Sequence, residues 1–325
     1  MSGPRILVVR LGSMGDIIHT LPAVATLKHS YPGAHVAWVV DPRWLPLLAG
    51  NQFIDELIPC NRRKISEVRT LRKRLRAESF DTAFDFQGLI KSALIASMTR
   101  PERIYGFHHL QLREKFAGLI YSHRVLARSS HVVDRNIELA ASAGASNKLI
   151  AFPIPAGVPE GELPQSDFVL ASPIGGWKAK QWPLEYYVEL SRMLASCGLP
   201  LVLNGMPSDV SLLASVPGAT PHVSGIEGLI HATQRAVAVV GIDSGPTHVA
   251  AALKKPGVAI FGPTDPQRNG PYGGSLAVLR HPEAITTYKR RDEIDRSMRA
   301  ITPEQVFLAL REHMKTSVKS ERCSA

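Results

Sequence analysis

The chain has 325 residues, of which 45% are hydrophobic and 20% charged, so it is long enough for two folded domains. It holds 38 Lys and Arg against 28 Asp and Glu, and most of the net charge of +10 lies in the first 150 residues, with 21 basic and 12 acidic residues. This composition excludes a disordered chain, and three widely spaced cysteines exclude a disulfide framework or a cysteine-based metal site.

The basic excess is densest between residues 62 and 76. Such a charge favours a polyanionic partner: a nucleic acid, an anionic membrane surface or a phosphorylated substrate. No apolar run approaches the roughly 18 residues that a membrane span needs. The first residues lead into a predicted strand without a signal-peptide pattern, so we expect a cytoplasmic protein.

Short apolar runs alternate with helical patterns along the first half of the chain. They predict strands at residues 5–9, 35–40, 82–85 and 103–106, and helices at 16–29, 65–77, 88–98 and 131–143. This alternation is typical of an α/β fold in which a parallel sheet is covered on both faces.

The second half repeats the pattern after a stretch rich in Pro and Gly at 152–164. We therefore predict two Rossmann-like domains, residues 1–155 and 156–325. Strands are predicted at 168–171, 200–203, 238–242 and 258–261, and helices at 184–195, 226–236, 247–253 and 302–315. The last helix is a candidate to pack back on the N-terminal domain.

Two polar turns follow the predicted strands at 238–242 and 258–261. The first reads Asp243-Ser244-Gly245-Pro246-Thr247-His248, and the second is Gly-Pro-Thr-Asp-Pro at 262–266. Unpaired N–H groups and the helix dipole at a helix start attract anions, and ligands of open α/β sheets bind at the carboxyl ends of the strands. The pattern predicts a site for a phosphorylated ligand.

The turn after the first strand runs from Arg10 through Gly12 and Gly15 to Asp16. It fits neither the dinucleotide fingerprint nor a P-loop. Asp16 has two interpretations: an acid that stabilises the start of a helix, or a general base at the end of the sheet.

Five motifs in order resemble the bacterial lipopolysaccharide heptosyltransferases, a glycosyltransferase family with the GT-B fold. They are Leu-Gly-Ser-Met-Gly-Asp at 11–16, Asp-Phe-Gln-Gly-Leu-Ile-Lys-Ser at 85–92, Lys-Gln-Trp-Pro at 180–183, and the two polar turns. The chain is most similar to the members that add the first heptose to the Kdo sugars of lipid A. The resemblance implies two domains whose parallel sheets face across a cleft.

The resemblance also implies roles for individual residues. Asp16 takes the place of the catalytic base, and Lys180 that of a lysine at the donor phosphates, where it offsets charge on the departing diphosphate. Donor-binding positions are Ser13, Lys180, Asp243, Ser244, Gly245, Thr247 and His248. Acceptor-binding positions are Arg10, Arg62, Arg63, Lys64, Lys91, Arg113 and Arg135. Around residues 221–225 we find no match to the family acid that contacts the donor ribose.

The implied reaction is an inverting displacement in which Asp16 activates a Kdo hydroxyl and ADP leaves from ADP-heptose. The resemblance implies no metal and no other cofactor. The implied partners are the donor, a Kdo-lipid A acceptor and the anionic inner face of the inner membrane, where the protein is expected to bind peripherally. No nucleic acid is expected, and the oligomeric state stays open.

Three alternatives remain. One is another transferase of the same family, such as heptosyltransferase II, acting on a later core sugar. A second is a nucleotide-binding oxidoreductase, disfavoured because the dinucleotide fingerprint is absent. The third is a basic module without enzymatic activity that binds nucleic acid or membranes; the segment 62–76 lacks the interleaved aromatic residues of single-strand binders.

Overall fold

The computed structural model describes residues 3–61 and 65–324; of residue 65 and of residues 316–324 it describes only the backbone. The chain divides into two compact units, Met1–Pro155 and Ala156–Ala325. Each described unit contains one six-stranded parallel sheet. The predicted α/β class with two Rossmann-like domains is therefore confirmed.

The first unit has the strand order β3-β2-β1-β4-β5-β6. Its strands are β1 (Arg5–Val9), β2 (His35–Val40), β3 (Glu56–Pro59), β4 (Thr82–Asp85), β5 (Arg103–Phe107) and β6 (His123–Val125). Its α-helices are α1 (Met14–Ser30), α2 (Leu45–Leu48), α3 (Ile65–Ala77), α4 (Ile90–Ser97) and α5 (Val132–Ala141). Short 3-10 turns cover Pro42–Trp44, His109–Gln111 and Lys115–Leu119.

The second unit has the order β12-β11-β10-β7-β8-β9. Its strands are β7 (Val169–Ser172), β8 (Leu201–Gly205), β9 (Ala219–Val223), β10 (Ala238–Ile242), β11 (Gly257–Phe261) and β12 (Leu276–Arg280). Its helices are α6 (Leu184–Ala195), α7 (Val210–Ala214), α8 (Ile226–Arg235), α9 (Gly245–Ala252), α10 (Pro266–Asn269), α11 (Arg296–Arg299) and α12 (Pro303–Ser324). The 3-10 turns are Lys178–Lys180 and Pro207–Asp209.

Both faces of the second sheet are buried. Along β7, Val169 belongs to one hydrophobic cluster and Leu170 to the other, because successive strand residues point to opposite faces. Helix α12 supplies Val306 and Leu310 to the first of these clusters. The described start of this helix thus packs on the sheet of its own unit.

The strands that the sequence did not predict are the edge strands of the two described sheets: β3, β6, β9 and β12. In β6, His123 and Arg124 are exposed, and in β9 only His222 is fully buried. A strand with so few buried positions has no continuous apolar run, which explains why periodicity alone overlooks it.

Candidate active site

Asp16 lies at the carboxyl end of the first sheet, in the first turn of α1. The backbone N–H and the hydroxyl of Ser13 donate to Asp16 Oδ2 over 2.9 and 3.0 Å. The second carboxylate oxygen, Oδ1, lies 2.5 Å from Arg10 Nη2. This geometry is compatible with both interpretations of Asp16. The carboxylate caps the start of α1, and its contacts with Ser13 and Arg10 fix its orientation, as a general base requires.

Arg10 and Asp16 differ in their access to water. The Arg10 side chain is 9% exposed, whereas the Asp16 side chain is 40% exposed. Arg10 Nη1 also donates to the carbonyl of Phe86, so the guanidinium group bridges the turns after β1 and β4. The result is an accessible carboxylate on a buried, fixed cation.

The Asp-Phe-Gln-Gly motif at 85–88 forms hydrogen bonds with the loop after β1. Gln87 Oε1 accepts a hydrogen bond of 2.8 Å from the Leu11 N–H. Asp85 is fully buried and accepts hydrogen bonds from the N–H groups of Gln87 and Gly88 and from the hydroxyls of Ser92 and Tyr121. The motif therefore shapes the site through the turn that it closes.

Burial is the largest influence on the pKa values of Asp85 and Tyr121. Desolvation raises the pKa of Asp85 above its ordinary value, and the four hydrogen bonds oppose the rise. Burial, followed by the charge of Asp85, raises the pKa of Tyr121. Tyr121 thus remains a hydrogen-bond donor throughout the physiological pH range.

A glycine is required at position 12 of the loop after β1. Gly12 has φ of 151°, in a region that other residues rarely adopt. A Cβ atom there would lie 2.6 Å from the indole nitrogen of Trp44. A close approach between the loop and this ring therefore excludes any larger residue.

The second unit has its own ion pair at the carboxyl end of its sheet. Lys180 Nζ lies 2.6 Å from Asp243 Oδ2, which also accepts a 2.6 Å hydrogen bond from the hydroxyl of Thr264. Lys180 follows β7, Asp243 follows β10, and Thr264 follows β11, three adjacent strands. Both side chains of the ion pair are largely buried: 17% of the Lys180 side chain and 10% of the Asp243 side chain are exposed.

The predicted helix start next to this pair is observed. Ser244 is the N-cap of α9, and its buried Oγ has no hydrogen-bond partner among the described residues. Thr247 is buried, and its hydroxyl donates to the carbonyl of Ile242 over 2.5 Å, so it closes the turn. His248 is buried in the same turn of helix. The N–H groups at this start provide an anion-binding position beside Lys180.

Three further residues that the sequence analysis did not assign to this site surround this position. Lys180 Nζ lies 4.4 Å from the centroid of the Trp177 ring, and Arg290 Cζ lies 5.2 Å from it. The third is Thr264, within the motif at 262–266. Only that motif gave a signal for Thr264. The sequence shows a basic segment at residues 289–291 whose role it leaves open, and nothing local to Arg290 indicates that this segment reaches the ring of Trp177.

The predicted acceptor residues other than Arg10 are more dispersed. Arg62, Arg63 and Lys64 lie outside the described residues. Lys91 on α4 and Arg113 before the turn Lys115–Leu119 are exposed. Arg135 is half-buried on α5, and its Nε donates to the carbonyl of Ser129 over 2.7 Å. The roles of all of them remain predictions.

Helix α3 presents the described part of the basic segment. Leu71 and Leu75 are buried in the core, whereas Arg69, Arg72, Lys73, Arg74 and Arg76 are exposed. Repulsion from Arg72 is the main cause that lowers the pKa of Arg76. The helix thus carries a concentrated positive field on its water-facing side.

The following two statements apply to residues 3–61 and 65–324. No three or more His, Cys, Asp or Glu side chains are grouped so that they could hold a metal ion. Within the same described ranges, no helix has the length and apolar character needed to cross a bilayer.

Structures of known proteins with this architecture have been solved. The chain superposes on "E. coli heptosyltransferase WaaC with ADP" with a TM-score of 0.77 and 26% identity, covering 95% of this chain and 99% of that one. It superposes on E. coli ADP-heptose lps heptosyltransferase II with a TM-score of 0.79 and 25% identity, over 96% and 99% of the two chains. The fold and the two sites thus define a glycosyltransferase of the GT-B class.

The sequence comparisons narrow this class. The family model "Glycosyltransferase family 9 (heptosyltransferase)" matches residues 68–297. Lipopolysaccharide heptosyltransferase 1 of Escherichia coli K12 is 29% identical over 302 residues, which cover 86% of this chain and 94% of that protein. The Pseudomonas aeruginosa PAO1 protein of the same name is 30% identical over 302 residues, 85% and 83% of the two chains. The chain belongs to glycosyltransferase family 9, the heptosyltransferases.

Proposed function

We propose that the protein transfers heptose from ADP-heptose to a Kdo residue of Kdo-lipid A during synthesis of the lipopolysaccharide inner core. The observation that carries the proposal is the accessible carboxylate of Asp16, whose orientation Arg10 and Ser13 fix. A general base needs such placement within hydrogen-bond reach of the proton that it removes.

The acceptor side of the reaction is assigned to the first unit. Asp16 accepts the proton of a Kdo hydroxyl as that oxygen attacks the anomeric carbon of heptose with inversion. Basic side chains of this unit, with Arg62, Arg63, Lys64, Lys91, Arg113 and Arg135 as the candidates, bind carboxylates and phosphates of the acceptor.

The donor side is assigned to the second unit. The start of α9 binds the diphosphate through backbone N–H groups, and Lys180 offsets the negative charge that develops on departing ADP. Asp243 pairs with the ammonium group, and the hydroxyl of Thr264 donates to the Asp243 carboxylate. Ser13 of the first unit is the remaining donor candidate.

The family relationship and the charge also support a cellular location. We infer that the protein is cytoplasmic and binds peripherally to the anionic inner face of the inner membrane. The net charge of +9 on residues 1–150 supports this location, because anionic lipids attract clustered Lys and Arg.

A transfer assay with defined substrates tests the proposal. Purified protein receives ADP-heptose and either Kdo-lipid A or an acceptor that already carries the first heptose, and mass spectrometry follows the product. We expect one heptose increment on Kdo-lipid A. Addition only to the heptose-bearing acceptor would instead identify a later-acting transferase, and turnover only with UDP- or GDP-sugars would refute the donor.

A further inference from the structure

Apart from Ile150, the exposed large apolar side chains described in the first unit belong to one stretch of the chain. They lie between residues 90 and 126, on α4, on the two 3-10 turns that follow β5, and after β6. Leu110, Phe116 and Leu119 are the most exposed, at 68%, 73% and 71%. With Ile90, Leu94 and Leu126 they form what we call the apolar surface.

The segments that carry the apolar surface are joined to one another. A small core beneath it packs Ala93 of α4 against Ala117 of the turn Lys115–Leu119. The Ile90 N–H donates to Glu114 Oε2 over 2.7 Å. Gln111 exchanges two hydrogen bonds with the backbone of Ala127, which ties the turn His109–Gln111 to the end of β6. The exposed apolar residues therefore share one structural platform.

The same platform is strongly basic. Residues 90–128 contain seven Lys and Arg but only two acids, Glu102 and Glu114. Five of the cations are exposed within the segments just described: Lys91, Arg113, Lys115, Arg124 and Arg128. The second unit also has exposed apolar side chains, such as Met206 and Val210 near α7, Ile285 and Leu308. No comparable charge excess accompanies them, because residues 151–325 hold 17 basic against 16 acidic residues.

Exposed apolar groups and cations in one patch match the chemistry of an anionic bilayer. Apolar side chains enter the boundary between head groups and acyl chains, while Lys and Arg meet the phosphates. We propose that the apolar surface and its five cations dock this protein on anionic lipid. A second copy of the chain fits less well, because two such basic faces would repel each other.

The position of this surface connects it with the site. Ile90 follows Gln87 by three residues, and Gln87 Oε1 and the Phe86 carbonyl bind Leu11 and Arg10 of the loop that ends at Asp16. Docking thus holds that loop near the lipid head groups. This consequence rests on the proposed function, in which the acceptor is anchored in the membrane by its lipid A part.

Vesicle flotation without acceptor or donor tests the docking by itself. The full chain is mixed with vesicles of phosphatidylcholine or of equal parts phosphatidylcholine and phosphatidylglycerol. The test variant is Phe116→Ser/Leu119→Ser, and the matched control is Met206→Ser/Leu308→Ser, whose side chains are 65% and 61% exposed in the second unit. We expect the test variant to bind the anionic vesicles at least about tenfold more weakly and the control to bind like the parent.

The charge contribution is measured with Lys115→Gln/Arg124→Gln. We expect affinity for the anionic vesicles to fall about fivefold per removed cation, with no such loss on neutral vesicles. Added salt should reduce the difference.

Transfer assays separate this proposal from the function. The Phe116→Ser/Leu119→Ser protein should use a water-soluble Kdo acceptor like the parent, which also shows that it is folded, and should lose activity on acceptor in anionic vesicles. If no heptose is transferred in any arm, the proposed function fails while flotation still decides the docking. Equal flotation of the test variant and the parent, or a dimer that the test variant abolishes, would overturn the docking.

Discussion

Each unit places an ion pair at the carboxyl end of its Rossmann-like sheet, but the less buried partner is the acid in the first unit and the base in the second. In the first unit, the cation Arg10 is buried and the carboxylate of Asp16 is exposed. In the second, both side chains are largely buried, and Asp243 is the more buried of the two, at 10% against 17% for Lys180. Under the proposed function, the less buried partner of each pair meets the substrate: the Asp16 carboxylate takes a proton in the first unit, and the Lys180 ammonium group faces phosphate in the second.

The largest expected effect tests the carboxylate of the first unit. Asp16→Asn keeps the acceptor oxygen for Ser13 but loses basicity, so kcat should fall by about 10² to 10⁴. Binding of ADP-heptose, measured by calorimetry, should not change. The matched control is Asp209→Asn, because Asp209 Oδ2 caps a helix start through the Met206 N–H over the same 2.9 Å. Normal turnover of the Asp16 variant would mean that this carboxylate only caps the helix.

The cation of the second unit is tested by Lys180→Gln. Removal of a charge that stabilises the leaving group should lower kcat by about 10² to 10³. Lys178→Gln is the control, since Lys178 is an exposed lysine of the same 3-10 turn. Equal effects of the two substitutions would indicate a general loss of positive charge and contradict a specific role for Lys180.

A smaller effect tests how the second pair is held. Thr264→Val removes the hydroxyl that donates to Asp243 Oδ2, and the loss of one hydrogen bond to a charged group should reduce kcat on the order of tenfold. Thr264→Ser restores the donor and should recover most of the activity. If serine and valine behave alike, the hydroxyl does not position Asp243.

The last prediction is an effect on stability, and it concerns the buried hydrogen bonds of Asp85 near the first pair. Tyr121→Phe removes a donor to buried Asp85, which should lower the free energy of unfolding by about 1–3 kcal/mol. In the parent protein, the Tyr121 hydrogen bond lowers the pKa of Asp85. Without this bond, the pKa of Asp85 in the folded variant lies further above its value in the unfolded chain. A raised folded pKa makes stability fall as pH rises, and the deficit of the variant should therefore grow with pH.

Urea unfolding at pH 5 and pH 8 measures this deficit. The control is the same substitution in an Asp85→Asn background, where the pH dependence should disappear. A deficit that is constant in both backgrounds would show that the hydroxyl does not interact with the Asp85 carboxylate.

Much of the architecture could be predicted because it depends on local patterns. The strands Arg5–Val9, His35–Val40, Thr82–Asp85 and Ala238–Ile242 were predicted at their observed bounds, since each is a short apolar run beside a turn. β6 and β9 were not, because edge strands carry too few buried residues. For the site, the turns that hold Asp16 and Asp243 were predicted, but Thr264, Trp177 and Arg290 were not.

The sequence by itself determined two α/β units, the turns at the ends of their strands, and the basic character of the first half. Periodicity, turn residues and charge are properties of neighbouring residues, so the sequence shows them directly. Only the tertiary structure decided that Arg10 is buried beneath Asp16, that Lys180 meets Asp243, and that exposed apolar side chains gather beside cations. Burial and pairing depend on residues far apart in the chain, such as Arg10 and Phe86, which the folded sheet brings into contact.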